Sequence, residues 1–161
     1  MSRTESLTAL ASLLAAARFQ RVPLVRTGVG HFEAAGTLNG TPIRVLIDTG
    51  AASTVLSLNL VRRLGLELVP LGPTGGGAGG ANLEVFEVRG AELRLGEVVP
   101  RPEMLVAMDL SHADAALAQQ GAGPVEAILG VDVYEAQAAV IDYGSASLFL
   151  QEAVQPRGGA D

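Results

Sequence analysis

The chain has no cysteine, no lysine and no tryptophan among its 161 residues. Without cysteine there are no disulfides, no thiolate metal ligands and no cysteine nucleophile. The compartment stays open on this count, because absence of cysteine is compatible with any redox environment. All 11 basic residues are arginines, scattered along the chain, and the formal net charge is −6. An acidic chain without a basic cluster lacks the electrostatic footprint of a nucleic-acid-binding protein. The only histidines are His31 and His112, too far apart in sequence to suggest a histidine-based zinc site. Aromatic residues make up 4% of the chain, so the core has to be aliphatic. No apolar run is long enough to span a bilayer.

What is present is 48% hydrophobic residues against 17% charged, a composition that excludes a disordered chain. This length suits one domain able to bury its own core. The 20 glycines point to many tight turns. At the N-terminus, Ser2 and Glu5 have capping-box spacing. Leu7, Leu10, Leu14 and Ala17 fall on one helical face. An amphipathic helix is therefore expected, in preference to a signal peptide: Glu5 sits where a signal peptide is positive, and Thr8 and Ser12 dilute the apolar stretch. That reading favours a cytoplasmic protein. An exported or periplasmic one follows if residues 1–17 act as a signal.

Downstream, short apolar runs alternate with turn signals. Strands are expected at Leu24 to Arg26 and His31 to Leu38. The Asn39-Gly40 dipeptide then signals a tight hairpin, and Ile43 to Ile47 returns. Ser57 is expected to cap a short helix, Leu58 to Leu64, closed by Gly65. Further strands are read at Glu67 to Leu71, Leu83 to Val88, Ala91 to Leu95, Glu97 to Val99 and Met104 to Met108. Ser111 and Asp114 suggest a second capping pair for a helix at Ala113 to Gln120. Val125 to Leu129 reads as a strand and Val131 to Ala136 as a short helix. Ala138 to Ile141 and Ser147 to Leu150 form a last hairpin. The expected fold is all-β with a few short helices, a barrel or sandwich. The expected organisation is an N-terminal helix or extension over 1–22, one domain over 23–152, and a flexible tail over 153–161.

One stretch carries chemistry. Val45-Leu46-Ile47 runs straight into Asp48-Thr49-Gly50-Ala51, and the chain is apolar again by Val55-Leu56. An acid at the end of a buried strand is costly unless its oxygens find partners. The bland alternative is an Asp that holds a turn through its side chain. A second feature is the glycine-rich Gly75 to Gly80. No Lys-Ser/Thr follows it, as a phosphate-binding loop requires, which leaves a surface loop. The sequence Val140-Ile141-Asp142-Tyr143-Gly144 imitates the Asp48 stretch but reads more simply as a hairpin turn. Asp132 reads as a first-turn acid that complements its helix dipole.

Three features in order resemble the retropepsin-type aspartic proteases, the single-lobe family of the retroviral proteases and their cellular relatives. They are Asp48-Thr49-Gly50-Ala51 with Thr54-Val55-Leu56, then Gly76-Gly77-Ala78-Gly79-Gly80, then Ala127-Ile128-Leu129-Gly130 followed by a short helix. Together they span about Gly36 to Leu150. The resemblance implies an acid-protease barrel with one lobe per chain, no metal and no cofactor. It implies that Asp48 is catalytic and that Thr49, Gly50 and Ala51 brace the loop and meet substrate backbone. Gly76 to Gly80 would close as a flap, and Ile128, Leu129 and Gly130 would back the loop. One lobe carries one such acid, whereas the chemistry needs two. A homodimer acting on a protein or peptide substrate is the implied state. Ala52 and Ser53 stand where the viral enzymes carry acids, and residues 111–121 resemble an insertion. The arginine-rich, lysine-free composition suits a bacterial member. A catalytically silent peptide-binding or dimerisation module, and an unrelated ligand-binding β-barrel, are the alternatives.

Overall fold

The computed structural model describes residues 1–73 and 83–152. The expected flap, Gly76 to Gly80, and the tail over 153–161 lie outside the described residues. Helix α1 (Arg3–Ala16) opens with the expected capping box. The Ser2 hydroxyl accepts from the Glu5 amide, and the Glu5 carboxylate accepts from the Ser2 amide. Leu7, Leu10 and Leu14 turn inward as their spacing dictates, but Leu13 is 67% exposed. The helix is thus apolar on more than one side.

Strand β1 (Phe19–Pro23) follows, where no strand is expected from the sequence: its five residues carry neither clean alternation nor a flanking turn signal. The boundary read at 22/23 falls inside it. β1 pairs antiparallel with β12 (Ser147–Gln151), which pairs in turn with β11 (Val140–Asp142). This small sheet ties the two ends of the described chain together.

The remaining strands form one larger sheet. They are β2 (Val25–Arg26), β3 (Phe32–Leu38), β4 (Thr41–Ile47), β5 (Val55–Ser57), β6 (Glu67–Pro73), β7 (Glu84–Arg89), β8 (Leu93–Arg94), β9 (Val106–Met108) and β10 (Ala127–Leu129). β3 and β4 form the expected hairpin. Asn39 and Gly40 both take positive φ, 47° and 81°, as a two-residue turn of this hand requires. Among the described residues the order is β2-β3-β4-β10-β5-β9-β7-β6, with β8 on β3. One insertion in that order matters most. β10, distant in sequence, lies between β4 and β5, parallel to the first and antiparallel to the second.

The core is aliphatic, as the shortage of aromatics demands. Leu38, Leu56, Leu60, Leu129, Leu148 and Leu150 are among its fully buried side chains. Two helices, α2 (Leu58–Arg63) and α4 (Val131–Ala136), bury Leu60, Val61 and Val133 against it. The third, α3 (Ser111–Ala118), buries no residue fully.

Two expected caps do not form. Ser57 stands at the N-cap of α2, but its side chain makes no capping bond; it is also the last residue of β5, and its amide donates to the Glu126 carbonyl at 2.9 Å. At α3 the N-cap is Leu110, not Ser111. Ser111 instead donates to Asp109, through its amide at 2.9 Å and through its hydroxyl. Asp114 accepts from the Val125 amide at 2.7 Å, fastening the helix to the segment that leads into β10. Among the described residues no helix is long and apolar enough to cross a membrane.

Candidate active site

β4 delivers Asp48 at its last rung. The parallel pairing matches Val45, Leu46 and Ile47 with Ala127, Ile128 and Leu129, and the Asp48 amide continues toward the Leu129 carbonyl at 3.2 Å. The chain then turns within four residues, the Ala51 amide donating back to the Asp48 carbonyl at 3.3 Å. Inside this turn the Gly50 amide donates to Asp48 Oδ1 at 2.8 Å. One carboxylate oxygen is therefore held by the loop's own backbone, a charge-assisted bond that fixes the side-chain direction. Among the described residues the Asp48 side chain makes no other hydrogen bond. Thr49 and Gly50 are exposed, and the carboxylate is partly buried.

The loop rests on the end of β10. Ala51 accepts from the Val131 amide at 2.8 Å through its carbonyl. Gly130 is required here by space. A Cβ at this position would lie 2.6 Å from the Ser53 carbonyl carbon and oxygen, and 2.8 Å from the Ala51 carbonyl oxygen. All three are backbone atoms of the Asp48 loop. Ile128, Leu129 and Gly130 thus stand behind the loop, and Leu129 is fully buried.

Three further residues complete the support and escape sequence reasoning. Thr54 is fully buried. Its hydroxyl donates to Asp132 Oδ1 at 2.7 Å and accepts from the Gly130 amide at 3.1 Å, linking the loop's far end to β10 and α4. Asp132 also accepts from the Val133 amide at 2.9 Å; it is a loop anchor as well as a first-turn acid. The Tyr134 hydroxyl donates to the Leu129 carbonyl at 2.7 Å and receives the Asp48 amide at 3.1 Å. It bridges β4 and β10 just below the carboxylate. Burial raises the Tyr134 phenol well above its ordinary range, so it stays neutral. The available signals were slight: a buried threonine shortly after the acid, and one of only two tyrosines on the turn after Gly130.

Among the described residues no three histidine, aspartate or glutamate side chains come together to hold a metal ion. What the arrangement offers is one carboxylate oriented by its own loop, with one oxygen that has no hydrogen-bond partner among the described residues. Such a group exchanges protons and polarises water, and it gains a matched acid partner only from a second carboxylate.

The sequence profile of the aspartyl proteases matches residues 34–133, from β3 to the first turn of α4. Two solved structures share the fold. A retropepsin-like aspartic protease from Rickettsia conorii aligns with a TM-score of 0.51 at 18% identity, over 82% of this chain and 90% of its own. The retroviral protease-like domain of Ddi1 from Leishmania major aligns with a TM-score of 0.52 at 15% identity, over 80% of this chain and 96% of its own. No curated protein sequence matches significantly. The architecture is retropepsin-like, mostly β, with one lobe per chain.

Proposed function

Because this chain belongs to the aspartyl protease family, we propose that it is a homodimeric aspartic endopeptidase, with one Asp48 from each copy forming the catalytic pair. The observation that carries this reading is the state of the Asp48 carboxylate. One oxygen is bound to the Gly50 amide and the other has no hydrogen-bond partner among the described residues, on a loop fastened at both ends and open toward solvent at Thr49 and Gly50.

Two such loops meeting on a two-fold axis bring two carboxylates close together. Paired carboxylates cannot both ionise cheaply, so they share a proton and titrate as a pair. The ionised member takes a proton from a water held between them. The hydroxide equivalent so formed attacks the peptide carbonyl carbon, while the protonated member donates to the carbonyl oxygen. Collapse of the tetrahedral species breaks the C–N bond as the carboxyl that took the water's proton passes it to the amine nitrogen and the other carboxylate takes a proton back from a hydroxyl of the tetrahedral carbon, which restores the shared-proton pair. In this reading Thr49, exposed and without a hydrogen bond among the described residues, braces one loop against its two-fold mate. Gly50 leaves room for substrate backbone. The rate then depends on the loop holding its geometry, which is what Thr54, Asp132, Tyr134 and Gly130 secure.

The test is cleavage of a diverse peptide library between about pH 4 and pH 7, the range in which paired carboxylates titrate, with Asp48→Asn in parallel. Cleavage by the wild type alone, rising more steeply than linearly with enzyme concentration, is the expected outcome. A well-folded wild type that cleaves nothing would sink the protease reading and leave a peptide-binding module of the same fold.

A further inference from the structure

The strands around the site have two apolar faces, separated by parity. Val45, Ile47, Leu56, Ala107, Ala127 and Leu129 enter the main core. Leu46, Val55, Val106 and Ile128 belong to a second apolar cluster. Register aligns these four. Leu46 stands opposite Ile128, Ile128 opposite Val55, and Val55 opposite Val106. They form one row across β4, β10, β5 and β9. Side chains alternate along a strand, and Asp48 follows Leu46 by two positions. The alternation that leaves Ile47 in the core puts Asp48 on the face that carries the row.

α3 lies over this face. Ala113 and Leu117, one helical turn apart, join the row's cluster together with the buried Leu110 and Val125. The opposite side of the helix, including His112, Ala115 and Ala116, is exposed. The Val125 amide to Asp114 bond, at 2.7 Å, fastens the helix to the segment leading into β10, and the Ala122 amide closes the helix end on the Leu117 carbonyl at 2.9 Å. The helix contributes nothing to the main core. Its effect is to set a wall of one small and one medium apolar side chain above the apolar row, on the carboxylate's side of the sheet.

We infer that α3 is a wall of the substrate channel, and that Leu117 sets the size of the substrate side chain accepted beside the cleaved bond. The substrate class is a peptide with an apolar residue of limited volume at that position. The row supplies the apolar preference and Leu117 the limit. This inference rests on reading Asp48 as the protease carboxylate.

The experiment uses full-length protein and a peptide series in which the residues flanking the cleaved bond run from Ala through Leu to Phe. Cleavage is measured for wild type, Leu117→Ala, Leu117→Phe and, as a control on the exposed side, Ala115→Leu. Binding of the same peptides is measured in the Asp48→Asn background. Leu117→Ala is expected to raise the Phe-to-Ala ratio of kcat/KM about tenfold, the usual scale for a pocket gaining or losing a few methylenes. Leu117→Phe should lower the ratio, and Ala115→Leu should leave it unchanged. Asp48-dependent cleavage whose ratio ignores Leu117 would overturn this inference and leave the protease reading standing. Absent cleavage with binding ratios that follow Leu117 would overturn the protease reading and keep the wall. If neither cleavage nor binding is detected, both fall.

Discussion

The chain writes nearly the same five residues twice, Leu46-Ile47-Asp48-Thr49-Gly50 and Val140-Ile141-Asp142-Tyr143-Gly144, and builds the same local bond in both places. In each, the glycine amide donates to the aspartate Oδ1 two residues earlier, at 2.8 Å. The difference lies in the second oxygen and in what stands behind the turn. Asp142 Oδ2 accepts from the Ser145 hydroxyl at 2.5 Å, so both of its oxygens serve the turn between β11 and β12. The second oxygen of Asp48 has no hydrogen-bond partner among the described residues. Its loop rests on a parallel strand brought from 82 residues downstream in sequence, rather than on its own hairpin partner. An Asp-x-Gly turn is thus a local structure that either role can use. On the proposed function, what sets Asp48 apart is hydrogen-bonding capacity unspent among the described residues, together with long-range support.

The sharpest way to break this comparison is to neutralise each acid. Asp48→Asn keeps the amide-carbonyl oxygen that receives the Gly50 amide, so the turn survives and the protein should melt as the wild type does. Peptide cleavage should fall by about 10³-fold or more, the scale expected when a positioned acid–base group is lost. Asp142→Asn should cleave at the wild-type rate. Equal losses in the two variants, measured as kcat/KM on one peptide, would show that the two turns do not differ in the way argued.

The glycines give the next largest contrast. Gly130 faces loop backbone, which cannot retreat without dismantling the Asp48 turn. Gly130→Ala should therefore cost about 3 kcal/mol of stability, an overpacking effect without a flexible neighbour to relieve it. A Cβ at Gly144 would also meet a close neighbour, Leu7 Cδ2 at 2.8 Å, but that is the end of a side chain on α1 and can move aside. Gly144→Ala should cost below about 1 kcal/mol. Urea unfolding of both variants decides the matter, and a Gly130→Ala protein as stable as Gly144→Ala would contradict the close approach.

The sequence made the Asp48 turn, the Asn39-Gly40 hairpin and α4 legible because each is specified by adjacent residues: an acid at a strand end, a dipeptide that accepts positive φ, a short apolar helix after a glycine. It also made the single-lobe architecture legible, through three motifs in order. It did not reveal β1, whose pairing is with a strand more than 120 residues away and whose own residues are ambiguous. Nor did it reveal Thr54, Asp132 and Tyr134 as one support, because what joins them is the passage of β10 between β4 and β5. Capping was misread at Ser57 and Ser111 for a related reason. The sequence rule assigns the hydroxyl to the helix, while tertiary context fixed Ser57 within a strand and gave Ser111 to Asp109.

Thr54 tests that long-range support directly. Thr54→Val preserves shape but removes the donor to Asp132 and the acceptor for the Gly130 amide, leaving buried polar groups unpaired. The expected cost is about 2 kcal/mol. Because the loop loses its anchor, kcat/KM should fall by about tenfold or more, and Thr54→Ser should restore most of both. The equivalent change at the other turn, Ser145→Ala, removes two part-buried bonds, to Asp142 and to Ser147, neither of which touches the Asp48 loop, and should leave cleavage unaltered. If Thr54→Val lowered stability while cleavage stayed at the wild-type level, the anchor would be a feature of the fold alone.

The smallest effect belongs to Asp142 itself, and its sign follows from its partners. The Ser145 hydroxyl first, then the Gly144 and Ser145 amides and the more distant Arg3, hold the Asp142 carboxyl below the usual carboxylate range. A carboxylate whose folded pKa is depressed stabilises the folded state at pH values above its unfolded pKa, near 4, and loses that contribution as pH falls through the folded value. The melting temperature of the wild type should therefore exceed that of Asp142→Asn by a constant margin above about pH 5, and the margin should close on acidification below about pH 4. Asp142 is close to the surface and screened by solvent, so the margin should be only about 2 °C. A margin that instead widened with acid would mean that the turn prefers the protonated acid, and that its two oxygens are not both committed to donors as the geometry places them.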